Sequence, residues 1–381
     1  MKTYFYITVL LLAGIPSLLS AQPVLRSELN MFRAGDILYK QQVEYKDPGR
    51  TGASVLWDFS QLNVVNDEYE LRYFAGEQEG ITGMEHLTLY HYSLRNDSLL
   101  LLGFENQTTQ LKNRQPELLL HFPVNYGDTA GSYFYGHGKY GNRLELDEMG
   151  TIATAADSYG MMILPSKDTL KQVLRTRTLK VIAEESRPIG EEYYYKDTAA
   201  IQLPADSIDF RLATDSVLFV VETFRWYEKG YRYPVFETVR SWEQHRDSLD
   251  HEFLATAFFY PPQEQYFLSE DEANSAVLEA MEEEAITDTI VDPWAGLTWN
   301  IFPNPVKNSD LSVEIYLPKN ANNVHVQLRN PMGLIVSNKD LGFFAEGTHA
   351  FGVDTWTLPV GNYILDIWLD EKLISEIILK R

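Results

Sequence analysis

Eight histidines are spread along the chain: His86, His91, His121, His137, His245, His251, His325 and His349. A metal centre needs three or four ligands at close spacing, and no H-E-x-x-H or similar helical pair occurs. His86 and His91 are five apart, which on one strand sets them on opposite faces. His245 and His251 are six apart and could share a face, but further ligands are missing. No metal site is therefore expected. The absence of cysteine excludes disulfides, thiolate ligands, a thiol nucleophile and lipid attachment at an N-terminal cysteine. No G-x-S-x-G elbow, phosphate loop, dinucleotide fingerprint or D-x-D-x-D-G calcium loop appears, so no cofactor and no catalytic residue is assigned. Paired carboxylates could hydrolyse a glycosidic bond, but 54 acids single out no pair.

One constellation does recur. Eight times an Asp precedes a Ser or Thr, and an aliphatic residue or Ala follows. The hydroxyls are Ser98, Thr129, Thr169, Thr198, Ser207, Ser216, Ser248 and Thr289. Asp with Ser or Thr favours a turn, and the apolar residue starts the next strand. Turn tips are also where a modification is accommodated. The triplet is similar to the acceptor motif of the Bacteroidetes periplasmic O-glycosylation system, which implies glycans at these hydroxyls. Aromatics reach 13%, in clusters such as Tyr133-Phe134-Tyr135 and Tyr231-Arg232-Tyr233. Exposed, such faces bind glycans or partner proteins; buried, they fill a β core. Val55 to Ser60 and Gly230 to Pro234 read as a packed Trp and a Pro-ended strand, without a mechanism.

The elements that must carry these residues are strands. His86–Leu94 and Ser98–Phe104 flank Arg95-Asn96-Asp97, a hairpin. Val217–Tyr227 and Arg232–Trp242 flank Glu228-Lys229-Gly230, a second one. Residues 22–262 lack long helical periodicity, and strands at such short spacing suggest sandwiches or barrels, read as one or two sandwich or jelly-roll-like units with a break near Gly150 if there are two. Residues 263–297 hold ten acids and no Lys or Arg, a composition shift that marks a linker. Within it, Ser269 and Glu272 form a capping box ahead of a short amphipathic helix. From Leu311 the alternation is clean: Leu311, Val313, Ile315 and Leu317 on one face, later Tyr363, Leu365, Ile367 and Leu369. Residues 298–381 therefore predict a small Ig-like β-sandwich, and the whole chain is all-β. A net charge of −22 argues against nucleic acid as partner, because phosphates need clustered cations.

Both ends read as addresses. Lys2, the apolar run Ile7–Leu19 and the small residues before Gln22 predict a cleavable secretory signal over 1–21, cut between Ala21 and Gln22. No later segment reaches spanning length, so the mature chain is expected to carry no transmembrane segment. At the other end stand Pro303-Asn304-Pro305, Gly333 after Asn330-Pro331-Met332, Gly361-Asn362-Tyr363, and Lys380. In themselves these fix φ, permit tight turns and place a large ring with an anchoring hydroxyl. As an ordered set they resemble the type A sorting domain of Bacteroidetes type IX secretion cargo. Asn330 stands where that family often has Asp, and Pro359 is a second departure. The resemblance implies a secreted or cell-surface product, outer-membrane attached or released. Its partners would be the type IX machinery and its sorting peptidase, with a cut near residues 290–300. Residues 22–262 then form a passenger, read as a non-catalytic binding or structural module for a glycan or protein ligand; the alternative is an exported hydrolase of glycans or peptides.

Overall fold

The computed structural model describes residues 22–190, 202–266, 271–284, 293–307 and 310–381. Ala21, Thr198, Ser269 and Thr289 lie outside them. The strands up to residue 259 are β1 (Ile37–Val43), β2 (Thr51–Asp58), β3 (Val64–Ala75), β4 (Ile81–Glu85), β5 (Thr88–Arg95), β6 (Ser98–Glu105), β7 (Thr109–His121), β8 (Thr129–Tyr140), β9 (Leu144–Ile163), β10 (Thr169–Pro188), β11 (Val217–Glu228), β12 (Phe236–His245) and β13 (His251–Phe259). Then come β14 (Thr298–Phe302), β15 (Leu311–Leu317), β16 (Ala321–Arg329), β17 (Ile335–Phe344), β18 (Gly347–Val353), β19 (Gly361–Leu369) and β20 (Lys372–Lys380). The helices are α1 (Ser27–Asn30), α2 (Ala205–Thr214), α3 (Pro262–Tyr266) and α4 (Glu272–Glu284). The all-β reading holds.

Of the sandwich and barrel readings over 22–262, the strand order gives the barrel-like one. β10, β11, β12, β13, β1, β3, β4, β5, β6, β7, β8 and β9 pair in that order, and β9 pairs back onto β10. The result is a closed, barrel-like ring of antiparallel strands. Short turns make the sequential pairings, since they return the chain beside the strand just made, and β1 closes the ring by lying between β13 and β3. Asn96 and Asp97, both at positive φ, close the β5–β6 hairpin. His86 and Leu87 make a similar turn between β4 and β5, so His86 is not on a strand with His91.

No break occurs at Gly150. It lies mid-strand in β9, opposite Phe134 of β8 and Ile182 of β10. A Cβ there would sit 1.8 Å from the Val181 carbonyl oxygen, so the glycine lets two long strands meet closely. Past Ala155 the edge of β9 changes partner from β8 to β2, which runs parallel to it.

The second hairpin is also longer than its sequence implied. Residues 229–235 connect β11 to β12, and Tyr231, Arg232 and Tyr233 are buried loop residues. Arg232 makes a two-point pair with Asp271, both contacts at 2.7 Å, and donates to the Met31 carbonyl at 2.9 Å. Asn274 Nδ2 donates to the Leu29 carbonyl at 2.9 Å. Helix α4 exists as expected, yet it is docked on the ring rather than running as a bare tether. Asp271 takes the capping role, accepting from the Asn274 backbone at 3.4 Å.

Residues 298–381 form two facing sheets. Strands β14, β15 and β18 supply Trp299, Leu311, Val313, Ile315 and Leu317; the sheet β17-β16-β19-β20 supplies Val324, Val326, Leu328, Leu365, Ile367 and Ile374. Ile364 and Asp366, on the opposite face of β19 from Leu365 and Ile367, are buried as well. The ring covers that face of β19 and β20, so both faces of these strands are interior.

Candidate functional site

The boundary between ring and sandwich holds the most concentrated polar chemistry. Arg177, on β10, donates through Nε to Glu222 Oε1 and through Nη1 to the Ile377 carbonyl, each at 2.8 Å. The same Nη1 lies 3.4 Å from Glu376 Oε2 on β20. Glu376 Oε1 accepts the indole N–H of Trp299, on β14, at 2.8 Å. Burial pushes the Glu376 carboxyl up to about 7, and the charge of Asp157 adds to this. Arg177, the Trp299 N–H and Arg175 pull the other way. Just inside, Arg175 and Asp157 form a fully buried two-point pair at 2.7 and 2.8 Å, at the irregularity where β9 changes partner. Arg175 also donates to the Pro48 carbonyl at 2.7 Å and lies over the rings of Phe224 and Trp57.

Two hollows flank this cluster, and both touch Arg177 and Asn304. One of about 650 Å³ is lined by Arg50, Asn300, Glu314 and Tyr316. The other, about 260 Å³, is lined by Glu222, Arg240, Trp242 and Glu252. The Trp242 indole nitrogen is buried and has no hydrogen-bond partner.

Part of the C-terminal motif comes together at the same place. Pro303 and Pro305 bracket Asn304 just after β14. The Asn304 side-chain amide acts as a piece of strand: Nδ2 donates to the Ile377 carbonyl at 2.8 Å, and Oδ1 accepts the Leu379 amide at 2.9 Å. Val306 continues this pairing with Leu379 and Arg381, each bond at 2.8 Å. Lys380 Nζ donates to the Lys307 carbonyl. Gly333, at φ +81°, closes a turn in which Asn330 Oδ1 accepts from Met332 and Leu334. Gly361 starts β19 at φ +152°, and the Tyr363 hydroxyl donates to the Pro359 carbonyl at 3.0 Å. Gly361 pairs with Lys380 beside the strap formed by Asn304, whereas Gly333 belongs to the β16–β17 turn.

Among the acceptor hydroxyls, Ser98, Thr129, Thr169 and Ser216 stand at or just before β6, β8, β10 and β11. Ser248 lies in the β12–β13 loop, and Ser207 lies instead in the first turn of α2. Thr169, Ser207, Ser216 and Ser248 are exposed. Thr129 accepts a hydrogen bond from Arg329 of the sandwich.

His245 ends β12 and His251 starts β13, so they do not share a strand. Both approach Glu243, at 3.1 and 3.9 Å. Most aromatic clusters are interior. Phe59, Trp226 and Phe236 pack together, with ring centroids 4.4 to 5.6 Å apart. Tyr73, Tyr92, Tyr227, Tyr233 and Tyr260 gather round a cavity of about 100 Å³ inside the ring. There Lys40 pairs with Glu85, and Arg225 meets Glu237 at 2.5 Å.

Sequence reading missed Arg177, Glu376 and the Arg175–Asp157 pair. The available signal was a lone Glu376 within the apolar run Leu373–Leu379, where both faces read as buried.

No family model matches the chain, and no curated protein matches it. Among solved structures it is similar to PorZ, described as an essential bacterial surface component of the type IX secretion system of Porphyromonas gingivalis. The alignment covers 86% of this chain and 70% of that one, at 8% identity and a TM-score of 0.16.

Among the described residues, no helix is long and apolar enough to cross a membrane.

Proposed function

We propose that this chain is an exported protein that reaches the cell surface or medium through type IX secretion. Residues 1–21 would be the removed signal, 22–262 the passenger, 263–297 the acidic linker and 298–381 the sorting domain. The supporting observation is the strap. Pro303-Asn304-Pro305 and Lys380, separated by some 75 residues, close on one another through the Asn304 amide and Val306. That these motif residues meet in one local structure supports reading them as a set.

For the passenger we propose a non-catalytic binding or structural role. In the boundary groove, Glu222 and Glu376 are both bound to Arg177, and Asp157 is bound to Arg175. Acids held in this way recognise and brace; a hydrolase needs them turned toward substrate. The Proposed partners are the secretion machinery, its sorting peptidase, and a polar glycan or protein ligand.

The test is fractionation of the native host expressing the chain with and without residues 298–381, beside an unrelated periplasmic reporter fused to 298–381. Surface delivery of the reporter, and loss of delivery by the truncated chain, is the expected result. A truncated chain that still reaches the surface ends the sorting reading.

A further inference from the structure

Residues 298–381 are packed against the ring and not held by the linker alone. Backbone pairing joins β14 to β2, with Thr298 opposite Gly52 and Trp299 opposite Thr51. Ile377 and Leu379, both almost wholly buried, share a core with Leu179, Val181 and Ala183 of the ring and Leu212 of α2. They point away from the sandwich's own core, which Ile374 and Ile378 fill. Around this apolar centre, Asn362 Nδ2 donates to the Leu179 carbonyl at 3.0 Å, and Arg177 holds Ile377 and Glu376. Arg329 reaches Thr129, and Arg381 pairs with Asp250. An apolar centre with a hydrogen-bonded, charged rim is the anatomy of a stable protein–protein interface. None of these contacts involves residues 263–297.

We infer that β9 and β10 form a docking surface whose occupant is residues 298–381 of the same chain. The two parts stay together as a non-covalent complex after the polypeptide between them is cut. The product of such a cut is a two-piece assembly, not a bare ring. Without the sandwich, Leu179, Val181 and the Arg177–Glu222 pair would face water. This inference does not depend on the sorting reading, because a sandwich with no role in export would dock equally well.

The test uses the full chain, whose lack of cysteine allows labels to be placed without background. Spin labels at Asp247→Cys and Asn338→Cys report the separation of ring and sandwich. One narrow distance distribution is expected; a broad one, as a loose tether gives, overturns the inference. In a second arm a specific protease sequence is inserted after Glu284, and cutting is followed on a denaturing gel. Both pieces are expected in one peak on gel filtration near pH 6, and two separate folded peaks would overturn the inference. Ile377→Asp places a charge in the shared core while leaving the sandwich's own core intact. It should weaken retention roughly 100-fold or more and separate the cut pieces, with circular dichroism unchanged. Wild-type-like retention in that variant would also count against the docking surface.

Discussion

Arg177 and Glu376 face one another across the boundary between ring and sandwich, with the guanidinium nitrogen 3.4 Å from the carboxylate oxygen. The same nitrogen is committed to the Ile377 carbonyl at 2.8 Å, so the carboxylate is only partly compensated. That imbalance explains why burial wins and the Glu376 carboxyl is raised to about 7.

A raised carboxyl makes the native state bind a proton that the unfolded state releases. Its stabilisation is complete below the ordinary glutamate value near 4.5 and is lost as pH rises through about 7. The groups facing Glu376 are Arg177 and Arg175 on β10, Asp157 on β9 and Trp299 on β14. Glu228, also raised to about 7 by burial, gives a slope of the same sign. The informative quantity is therefore the difference between wild type and Glu376→Gln. Urea midpoints measured from pH 4 to 8 should fall less steeply in the variant, by on the order of 1 kcal/mol per pH unit. Parallel curves would mean that Glu376 does not titrate in this window.

Asn304 substitutes for a strand by making both ladder bonds with one side chain. Asn304→Ala should cost about 1–3 kcal/mol, because the Leu379 amide and Ile377 carbonyl lose partners in a partly buried place. Asn304→Asp keeps the acceptor for Leu379 but turns an oxygen toward the Ile377 carbonyl, and it should be worse than Ala. Hydrogen exchange at Leu379 reads this directly. Unchanged protection in both variants would remove the strap from the account.

Arg175 and Asp157 are both fully buried. Arg175→Met should destabilise by about 3–5 kcal/mol, since it leaves Asp157 charged and unpaired among aromatic rings. Adding Asp157→Asn should recover part of that loss by removing the charge. Thermal melts of the two variants settle the order; no recovery would mean that packing against Phe224 and Trp57, not charge, dominates.

How much of this was legible follows from what each signal encodes. The alternation at Leu311–Leu317 reported a strand buried on one face, and the fold obliges. In β9, residues 146–158 are buried without interruption, so no period of two survives to be read. Gly150 looked like punctuation because a glycine marks either a turn or a close approach, and only the neighbouring Val181 carbonyl tells which. Ring closure was invisible because β1 pairs with β13, Gln41 opposite Phe259, from the far ends of the passenger, which short-range patterns do not express. The site was half legible. Asn304 and Lys380 stood in a motif, whereas Arg177 acquires meaning only from the sandwich docked on it.

Gly230 combines φ +87° with a tight neighbour, since an added Cβ would lie 2.5 Å from Leu278 Cδ2 of α4. Gly230→Ala should therefore cost about 1–2 kcal/mol and loosen α4 as well, while Arg232 and Asp271 still hold its start. Burial would raise the Asp271 carboxyl, but Arg232 and the Asn274 amide hold it below its ordinary value. Limited proteolysis should cut α4 faster in the variant than in wild type. Equal rates would show that Leu278 simply moves aside.

The acceptor hydroxyls divide by what surrounds them. Thr169, Ser207, Ser216 and Ser248 are exposed, so a glycan can be attached without moving the fold. Thr129 accepts from Arg329, whose guanidinium in turn meets Asp366 at 2.5 Å, and this places the hydroxyl under the docked sandwich. A glycan on Thr129 would have to displace that contact. Peptide mapping of the chain from its native host should find hexose-bearing peptides at the four exposed sites and bare Thr129. An Arg329→Ala variant that loosens docking should raise Thr129 occupancy if modification follows folding. Full occupancy at Thr129 in the wild-type chain would mean that the glycan is attached before the sandwich docks, and a bare mass throughout would end the glycosylation reading.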